Sequence, residues 1–301
     1  MLSKKIFSIF IAFLFAGYIS VVFACEHMPK VLHENGLYIV KIDYENNDVR
    51  PYVSNELETV NKIGLKTNAT VAINAGFFDA KNKKTVSYVV ENGVVSANPT
   101  ENENLTSNEN LKPYLDRIFN RGEIRFYNCN GEKKVDIVYH EDAMQNGCNL
   151  VSSIQAGPIL LPEMDLEKEY FVIERNGKIL RDGAGMTRKT DRSMIAIKGK
   201  YLYFIITDED TPLTIYELQE KIKKYKFDKA LNFDGGGSVS LFVKKKQYIK
   251  TSDDYFYQDR EEKGASRAVK SALIVKKKIV PHKVINVEIS PTESKGIIIT
   301  E

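Results

Sequence analysis

The sequence lacks the patterns that mark several common classes of protein. Its 301 residues include only 3 Cys and 4 His, and no Cys-x-x-Cys or His-x-x-x-His spacing occurs, which argues against a zinc site. Lysine and arginine number 43 against 40 acidic residues, so no strong field for nucleic acid is expected. After the N-terminal stretch, no run is long and apolar enough to span a bilayer, and neither a heptad run nor an internal repeat is present. With 43% hydrophobic residues, the chain suffices for one large domain or two small ones.

The N-terminal stretch has the pattern of a secretory signal. Two lysines precede an apolar run over residues 6–15, and Ala24 is a small residue suited to cleavage. Residues 1–24 are therefore predicted to be a signal peptide; an uncleaved membrane anchor is the alternative, because the apolar character continues to Phe23. Cys25 follows directly and resembles a bacterial lipoprotein box, although Phe23 fits that box poorly. We expect an exported protein, periplasmic, on the outer surface or secreted, that meets a membrane only through this signal or a lipid anchor.

The remaining cysteines and the histidines are few enough to assign. In an exported protein, Cys129 and Cys148 are candidates for a disulfide that closes a short loop. Cys25 would then be the lipidated or free cysteine. The four His are scattered, at positions 27, 33, 140 and 282, and a catalytic His is not favoured.

The most informative stretch runs over residues 214–243, TIYELQEKIKKYKFDKALNFDGGGSVSLFV. Thr214 and Glu217 form a capping box, and apolar residues at positions 215, 218, 222 and 225 follow at helical spacing, so a helix is predicted here. A short strand then ends at Asp234, and a second strand resumes at Val239.

Between these strands lie three consecutive glycines, Gly235, Gly236 and Gly237, followed by Ser238. Glycine weakens a strand or helix, so a run of three suits a sharp turn or a close approach to backbone amides. A carboxylate, bare amides and a hydroxyl together suit a phosphate or a sugar hydroxyl as ligand. The alternative is a tight hairpin turn with a capping Asp.

The segment ALNFDGGGSVS resembles the signature of the phosphodiester glycosidase domain family, the family of the lysosomal uncovering enzyme and many bacterial relatives. Four further segments match in the family's order: INAGFFD (73–79), QAGPILL (155–161), DRSMIAI (191–197) and SRAVKSALIV (266–275). The resemblance covers roughly residues 65–275. It implies an exported hydrolase that cleaves a sugar-1-phosphodiester, or a related glycosidic bond, in envelope or exopolysaccharide metabolism.

The resemblance also implies a site assembled from residues far apart in the chain. Asp234 is the carboxylate expected to stabilise the anomeric carbon, act as nucleophile or activate water. Arg192 and Arg267 are expected to bind phosphate oxygens through bidentate contacts, and Asn74 to orient the substrate. The further substrate-binding residues are Gly76, Gly157, Gly235, Gly236, Gly237 and Ser238.

The residues alone leave other roles open. Asn74 also fits a turn former, Arg192 fits a surface residue, and Gly157 fits ordinary packing. Asp79 is a reserve carboxylate. Many family members carry an Asp-Gly-Arg turn near position 208; this chain does not, which puts any role for Asp208 in doubt.

The reaction fits these residue types. A phosphate monoester, with a second pKa of about 6, leaves without a strong proton donor, which relaxes the usual need for a second carboxyl. The site needs positive charge and amides aimed at the phosphate oxygens instead. No cofactor is required; a divalent cation at Asp234 stays open, although no cluster with ligand spacing argues for one.

The expected fold is α+β, a largely antiparallel mixed sheet with a few flanking helices. The domain is placed at residues 30–275 and a C-terminal extension at 276–301, while residues 96–110 and 253–262 are expected to be polar loops. Two other functions remain open. One is a glycosidase or lyase that acts on exported polysaccharide. The other is a non-catalytic module that binds envelope glycans or phosphosugars.

Overall fold

The computed structural model describes residues 29–244, 255–259 and 267–278 of the chain. Strands dominate, and most follow directly from the alternating or β-branched runs of the sequence. The strands are β1 (Val31–Glu34), β2 (Leu37–Asp43), β3 (Asn47–Glu58), β4 (Val71–Asn74), β5 (Val89–Glu91), β6 (Val94–Ala97), β7 (Gly122–Cys129), β8 (Glu132–Tyr139), β9 (Cys148–Gln155), β10 (Ile159–Leu161), β11 (Val172–Arg175), β12 (Lys178–Asp182), β13 (Ser193–Lys198), β14 (Tyr201–Thr207), β15 (Lys229–Asn232), β16 (Ser240–Lys244), β17 (Tyr255–Asp259) and β18 (Val269–Lys277).

Four short α-helices accompany these strands within the described residues. They are α1 (Val60–Lys66), α2 (Glu103–Thr106), α3 (Leu115–Phe119) and α4 (Ile215–Lys223). Single 3₁₀ turns cover Pro99–Glu101, Lys112–Tyr114, Gly183–Gly185 and Gly236–Ser238. None of the helices in this part of the chain is long and apolar enough to cross a membrane.

The strands form three main sheets and one separate hairpin, all with antiparallel pairing. The first sheet has the order β1-β2-β14-β13-β15-β10, the second β17-β16-β4-β18-β3 and the third β6-β5-β9-β7-β8. Strands β11 and β12 pair only with each other. The expected α+β fold with mainly antiparallel sheet is therefore confirmed.

One hydrophobic core joins the three sheets. Its fully buried side chains come from every sheet, for example Phe204 from the first, Ile73 from the second and Ile154 from the third. A second, smaller cluster lies under α1, where Val60 and Ile63 pack with Phe242. Because burial of apolar surface is the main favourable term in folding, this shared core fixes how the sheets sit together.

The three sheets meet at one end, and backbone hydrogen bonds tie them there. Asp234, after β15 of the first sheet, donates its N–H to the Ala75 carbonyl after β4 of the second sheet (2.9 Å). Gly157, after β9 of the third sheet, donates to the Asn232 carbonyl at the end of β15 (2.9 Å). The loops at this end therefore come together although their residues are distant in sequence.

Helix α4 confirms the capping box read from the sequence. The Thr214 hydroxyl accepts from the Glu217 N–H (3.1 Å), and the Glu217 carboxylate accepts from the Thr214 N–H (2.8 Å). Ile215, Leu218 and Ile222 are buried against the core. This face packs the helix onto the first sheet beside the loop that follows β15.

The structure also shows the disulfide between Cys129 and Cys148, at the paired ends of β7 and β9. Two predictions about loops were wrong. Residues 96–110 contain α2 and a 3₁₀ turn, and they bury Asn102 and Leu105 against neighbouring side chains. Residues 253–262 contain strand β17, since Tyr255–Asp259 extends the edge of the second sheet.

Helix α1 runs from Val60 to Lys66 with Thr59 as N-cap. The predicted signal at 1–24 and Cys25 lie outside the described residues.

Candidate functional site

The candidate site is built around the loop that joins β15 to β16, residues 233–239. Two backbone bonds fix its path: Asp234 N–H to the Ala75 carbonyl, and Gly236 N–H to the Asp191 carbonyl (2.9 Å each). The loop therefore leaves the first sheet, contacts Asp191 just before β13 and enters the second sheet.

Each glycine of this loop meets a different constraint. A Cβ at Gly235 would lie 2.9 Å from the Asp191 carbonyl oxygen, so a side chain there would force the backbone apart. Gly236 has φ of +59°, the left-handed region that side chains disfavour. A Cβ at Gly237 would lie 3.3 Å from Cδ of Arg267. The triple glycine thus lets the loop pass between two arginines.

Asn74 clamps both ends of the loop. Its Nδ2 donates to the Asp234 carbonyl (2.7 Å), and its Oδ1 accepts from the Ser240 N–H (3.0 Å). The side chain is fully buried. The expectation that Asn74 orients the substrate directly is therefore revised, because its amide is already used to hold the backbone of the Asp234 loop.

Arg192 lies on one side of the loop but presents little of itself to a ligand. Its side chain is 1% exposed, and its Nη1 lies 3.8 Å from a Cβ placed at Gly235. Burial lowers the pKa of this guanidinium to about 10. Its Nε and Nη2 donate to four backbone carbonyls at 2.8–3.1 Å, those of Gly185, Met186, Arg188 and Leu213. The predicted bidentate contact between Arg192 and phosphate is therefore revised: Arg192 supports the loop.

Arg267 lies on the other side of the loop and is partly exposed. Its Nη1 is 3.8 Å from a Cβ placed at Gly237, and its guanidinium carbon lies 5.4 Å from the centre of the Phe78 ring. The charge of Arg267 also acts on Asp234, whose pKa it lowers. This arginine is placed to meet a bound anion, and that role remains a prediction.

The Asp234 carboxyl is partly exposed but poorly solvated. The residue keeps part of its surface open to solvent. Burial nevertheless raises the pKa of its carboxyl to about 6, against the opposing effects of Ser238, Arg267 and the Gly235 N–H. A carboxyl of this kind is ionised at neutral pH but costs free energy to hold in that state, as catalytic carboxyls often do.

Ser238 completes the loop. It is fully buried. Its hydroxyl lies near enough to Asp234 to lower the pKa of that carboxyl. Ser238 therefore favours the ionised form of Asp234 from inside the protein.

The glycines outside this loop approach the protein's own atoms. A Cβ at Gly76 would lie 2.9 Å from the Ser87 side chain, and one at Gly157 would lie 2.5 Å from Oε2 of Glu169. Gly157 also has φ of +116°. Packing therefore accounts for Gly76 and Gly157, and we revise their predicted substrate-binding roles.

The other candidate carboxylates are occupied locally. Asp79 accepts from the Lys81 N–H (2.8 Å) and from Nδ2 of Asn104 (2.9 Å), which stabilises its own turn. Asp208 accepts from Nε2 of His33 (2.8 Å). Neither is a reserve for Asp234 on this geometry.

Sequence reasoning missed a buried carboxyl behind the site. Glu169 is fully buried and accepts the N–H groups of Gly122 and Ile159 at 2.8 Å each. Burial raises the pKa of this carboxyl to about 7. It stands in no recognised segment, and only the fold brings it beside Gly157.

Within the described ranges, no group of three or more His, Cys, Asp or Glu side chains could hold a metal ion. The chemistry that this part of the site can support therefore rests on one carboxyl, one arginine, the loop amides and a hydroxyl. Whether a divalent cation joins Asp234 stays an open prediction.

Comparisons with known proteins bear on the family and the fold. Residues 67–276 match the model of the family described as phosphodiester glycosidase. None of the curated proteins matches the chain. A solved hypothetical protein from Synechocystis is 16% identical with a TM-score of 0.53; the match covers 83% of this chain and 61% of that one, less than two thirds.

Two further solved structures are similar. One is the catalytic domain of zebrafish N-acetylglucosamine-1-phosphodiester alpha-N-acetylglucosaminidase, auto-inhibited by its pro-peptide: 12% identity, TM-score 0.56, covering 83% of this chain and 82% of that one. The other is a protein from Burkholderia pseudomallei described as exported: 11% identity, TM-score 0.57, covering 79% and 73%. At these identities the structures show a shared fold.

Proposed function

The chain belongs to the phosphodiester glycosidase family, and we propose that it hydrolyses a sugar-1-phosphodiester, or a related glycosidic bond, at the Asp234 loop. The substrate would be a carbohydrate or sugar phosphate of the envelope or of an exopolysaccharide. The name of the zebrafish structure, which specifies a sugar-1-phosphodiester, supports the choice of bond.

One observation carries the proposal: a carboxyl with a raised pKa and a partly exposed arginine face the same triple-glycine loop. Asp234 supplies negative charge where the anomeric carbon becomes cationic. Arg267 and the loop amides supply positive charge where phosphate leaves. These are the two charges that develop when the bond between the anomeric carbon and the phosphate oxygen breaks.

The reaction then needs few further groups. The phosphate monoester leaves with the bonding electron pair, and water adds its oxygen to the anomeric carbon and releases a proton. Because the leaving group is a weak base near neutral pH, no strong general acid is required. Asp234, ionised above its pKa of about 6, stabilises the carbon, attacks it or takes the proton from water.

Asn74 and Arg192 act through the loop in this account. Asn74 holds the Asp234 and Ser240 ends, and Arg192 holds the carbonyls of residues 185–188 and Leu213 next to Asp191, whose carbonyl binds the Gly236 N–H. Preorganised charges stabilise a transition state best when the backbone that carries them is rigid. Both residues are therefore positioning residues.

We also propose the cellular setting. Residues 1–24 would direct export, residues 30–275 would form the catalytic domain, and 276–301 would extend it. The similarity to a Burkholderia protein described as exported supports this setting. Lipidation of Cys25 would anchor the enzyme at a membrane.

The test is hydrolysis by the purified chain of a panel with a sugar-1-phosphate methyl diester and the matching plain methyl glycoside. We expect cleavage of the diester by the wild type and a loss of at least about 100-fold in Asp234→Asn. Cleavage of the glycoside alone would favour the glycosidase alternative. Binding of both compounds with no turnover would favour a glycan-binding module, and an active Asp234→Asn would remove Asp234 from the mechanism.

A further inference from the structure

A histidine and a tyrosine form a second polar cluster at the same end of the sheets. His140 follows β8, and its Nδ1 lies 2.9 Å from Oε2 of Glu123, a carboxylate that is 2% exposed. The imidazole stacks on the Tyr88 ring with 4.1 Å between centroids and 4° between planes. The His140 side chain is 29% exposed, so solvent reaches part of the ring.

Arg125 fixes this arrangement from inside the protein. It is buried, pairs with the other oxygen of Glu123, and so balances the charge of that carboxylate. Its Nη atoms donate to backbone carbonyls at the end of β8, those of Tyr139, His140 and Asp142. Arg125 therefore fixes the backbone of His140, and Glu123 fixes its Nδ1. Because Nδ1 is turned to Glu123, the other ring nitrogen, Nε2, faces away from that carboxylate.

The cluster is continuous with the Asp234 loop. Glu123 pairs with Gln155 across β7 and β9, and the Tyr88 N–H donates to the side chain of Gln155 (3.4 Å). The Gln155 carbonyl lies 3.1 Å from a Cβ placed at Gly76. Gly76 is next to Ala75, whose carbonyl binds the Asp234 N–H.

His140 stands apart from the residues that lead to the Asp234 loop. Strands β9 and β8 are separated by β7, so Gln155 and His140 lie two strand spacings, about 10 Å, apart. Tyr88 lies between Gln155 and His140, because its backbone lies beside β9 and its ring stacks on the His140 imidazole.

We propose that His140, Tyr88 and Glu141 form a second carbohydrate subsite, which binds hydroxyl groups of the substrate remote from the bond that is cleaved. This inference rests on the proposed function. The three groups offer a ring nitrogen, a phenol hydroxyl and a carboxylate, and such groups beside an aromatic ring recognise sugar hydroxyls. Glu141 follows His140 directly in the chain and is exposed. Burial raises the pKa of the Tyr88 phenol and the Glu141 charge raises it further, in agreement with that position.

The chain supplies a matched control. His33 also stacks on a tyrosine, Tyr38, at 4.2 Å, and also meets a carboxylate, Asp208. It stands on the edge strand β1, four strand spacings, about 19 Å, from β15 in the first sheet. A general effect of losing a stacked, paired histidine would appear equally at His33.

The kinetic test compares two diesters of one sugar 1-phosphate, with methyl or maltotriose as the far group. In His140→Ala, the ratio of kcat/KM for the maltotriose diester to that for the methyl diester should fall about tenfold, through KM, as loss of one hydrogen bond predicts. Tyr88→Phe, which keeps the ring and removes the hydroxyl, should lower the ratio less. His33→Ala should leave it unchanged. An unchanged ratio in both His140→Ala and Tyr88→Phe overturns the subsite.

A binding test separates this inference from the proposed function. Free maltotriose at millimolar concentration is titrated into the ¹⁵N-histidine-labelled wild-type protein, and the imidazole resonances are followed. We expect the His140 resonance to move and the His33 resonance to stay. If the wild type cleaves no diester but His140 moves, the proposed function fails while the subsite stands. If His140 does not move, the subsite is refuted even in an active enzyme.

Discussion

Arg192 and Arg267 stand alike in the sequence, each at the start of a strand in a recognised segment, but the structure treats them differently. Arg192 is 1% exposed and spends its donors on backbone carbonyls. Arg267 is partly exposed, lies beside Gly237 and acts on the charge of Asp234. The two arginines flank one loop, one from within the protein and one from its open side.

The difference shows how a buried cation can serve a site without touching its ligand. A guanidinium has five N–H donors, and once backbone carbonyls accept most of them it holds the chain rather than a phosphate. The charge that remains for a phosphate is that of Arg267. Substitution of the arginine that supports the loop should mainly reduce stability, whereas substitution of the arginine at the loop surface should mainly reduce activity.

The largest effect on stability is expected at Arg192. Arg192→Ala removes a buried guanidinium together with its hydrogen bonds to four carbonyls and leaves a cavity, so the free energy of unfolding should fall by roughly 3–5 kcal/mol. Urea unfolding followed by circular dichroism measures it. The surface variant Arg50→Ala should stay within about 0.5 kcal/mol of wild type. A drop in Arg192→Ala no larger than in Arg50→Ala would remove the supporting role.

Arg267→Ala should have the opposite profile. Activity on a sugar-1-phosphodiester should fall about 100- to 1000-fold, while the free energy of unfolding stays within about 0.5 kcal/mol. The Arg267 charge lowers the pKa of Asp234, so its loss should also move the acidic limb of the pH–rate profile to higher pH. An acidic limb at the same pH as in the wild type would show that the Arg267 charge does not act on Asp234.

Asp234→Asn should be inactive and more stable. The folded state holds the Asp234 proton up to a pKa of about 6, against 3.8 in the unfolded chain, so the wild type loses stability as pH rises between these values. Two pKa units correspond to about 3 kcal/mol at most, so we expect a gain of about 1–3 kcal/mol for the variant at pH 8. The gain should vanish at pH 3. A gain of equal size at both pH values would show a cause other than ionisation.

The smallest effect is expected at Gly236. Its φ of +59° should make Gly236→Ala less stable by about 1 kcal/mol. Gly199 has φ of +55° with open space around it, so Gly199→Ala carries the same strain in a turn away from the site. Both variants should unfold at similar urea concentrations, and only Gly236→Ala should lose activity. Equal activities would mean that the shape of the loop matters little.

Local signals in the sequence account for much of the fold. Helix α4 followed from the Thr214–Glu217 box, because a capping box depends only on neighbouring residues. The polar run around Leu105 misled the prediction, since its burial depends on Ile118 and Tyr170, which pack with it only in the folded chain.

Part of the site could be predicted from the sequence. Asp234 and the glycines stand together in the chain, so their loop could be found from sequence. The carbonyls that bind Arg192 belong to residues 185–188 and to Leu213, which no local pattern connects to it. The hydrogen bonds of the Glu169 carboxyl and the His140–Tyr88 stack likewise join residues that are distant in sequence and meet only in the folded chain.

The most direct measurement is a crystal structure of the protein with a bound sugar 1-phosphate. The account predicts phosphate oxygens within hydrogen-bond distance of Arg267 and the Gly235–Gly237 amides, the anomeric carbon beside Asp234, and Arg192 still bound to its four carbonyls. A phosphate held by Arg192, or seated away from this loop, would contradict it.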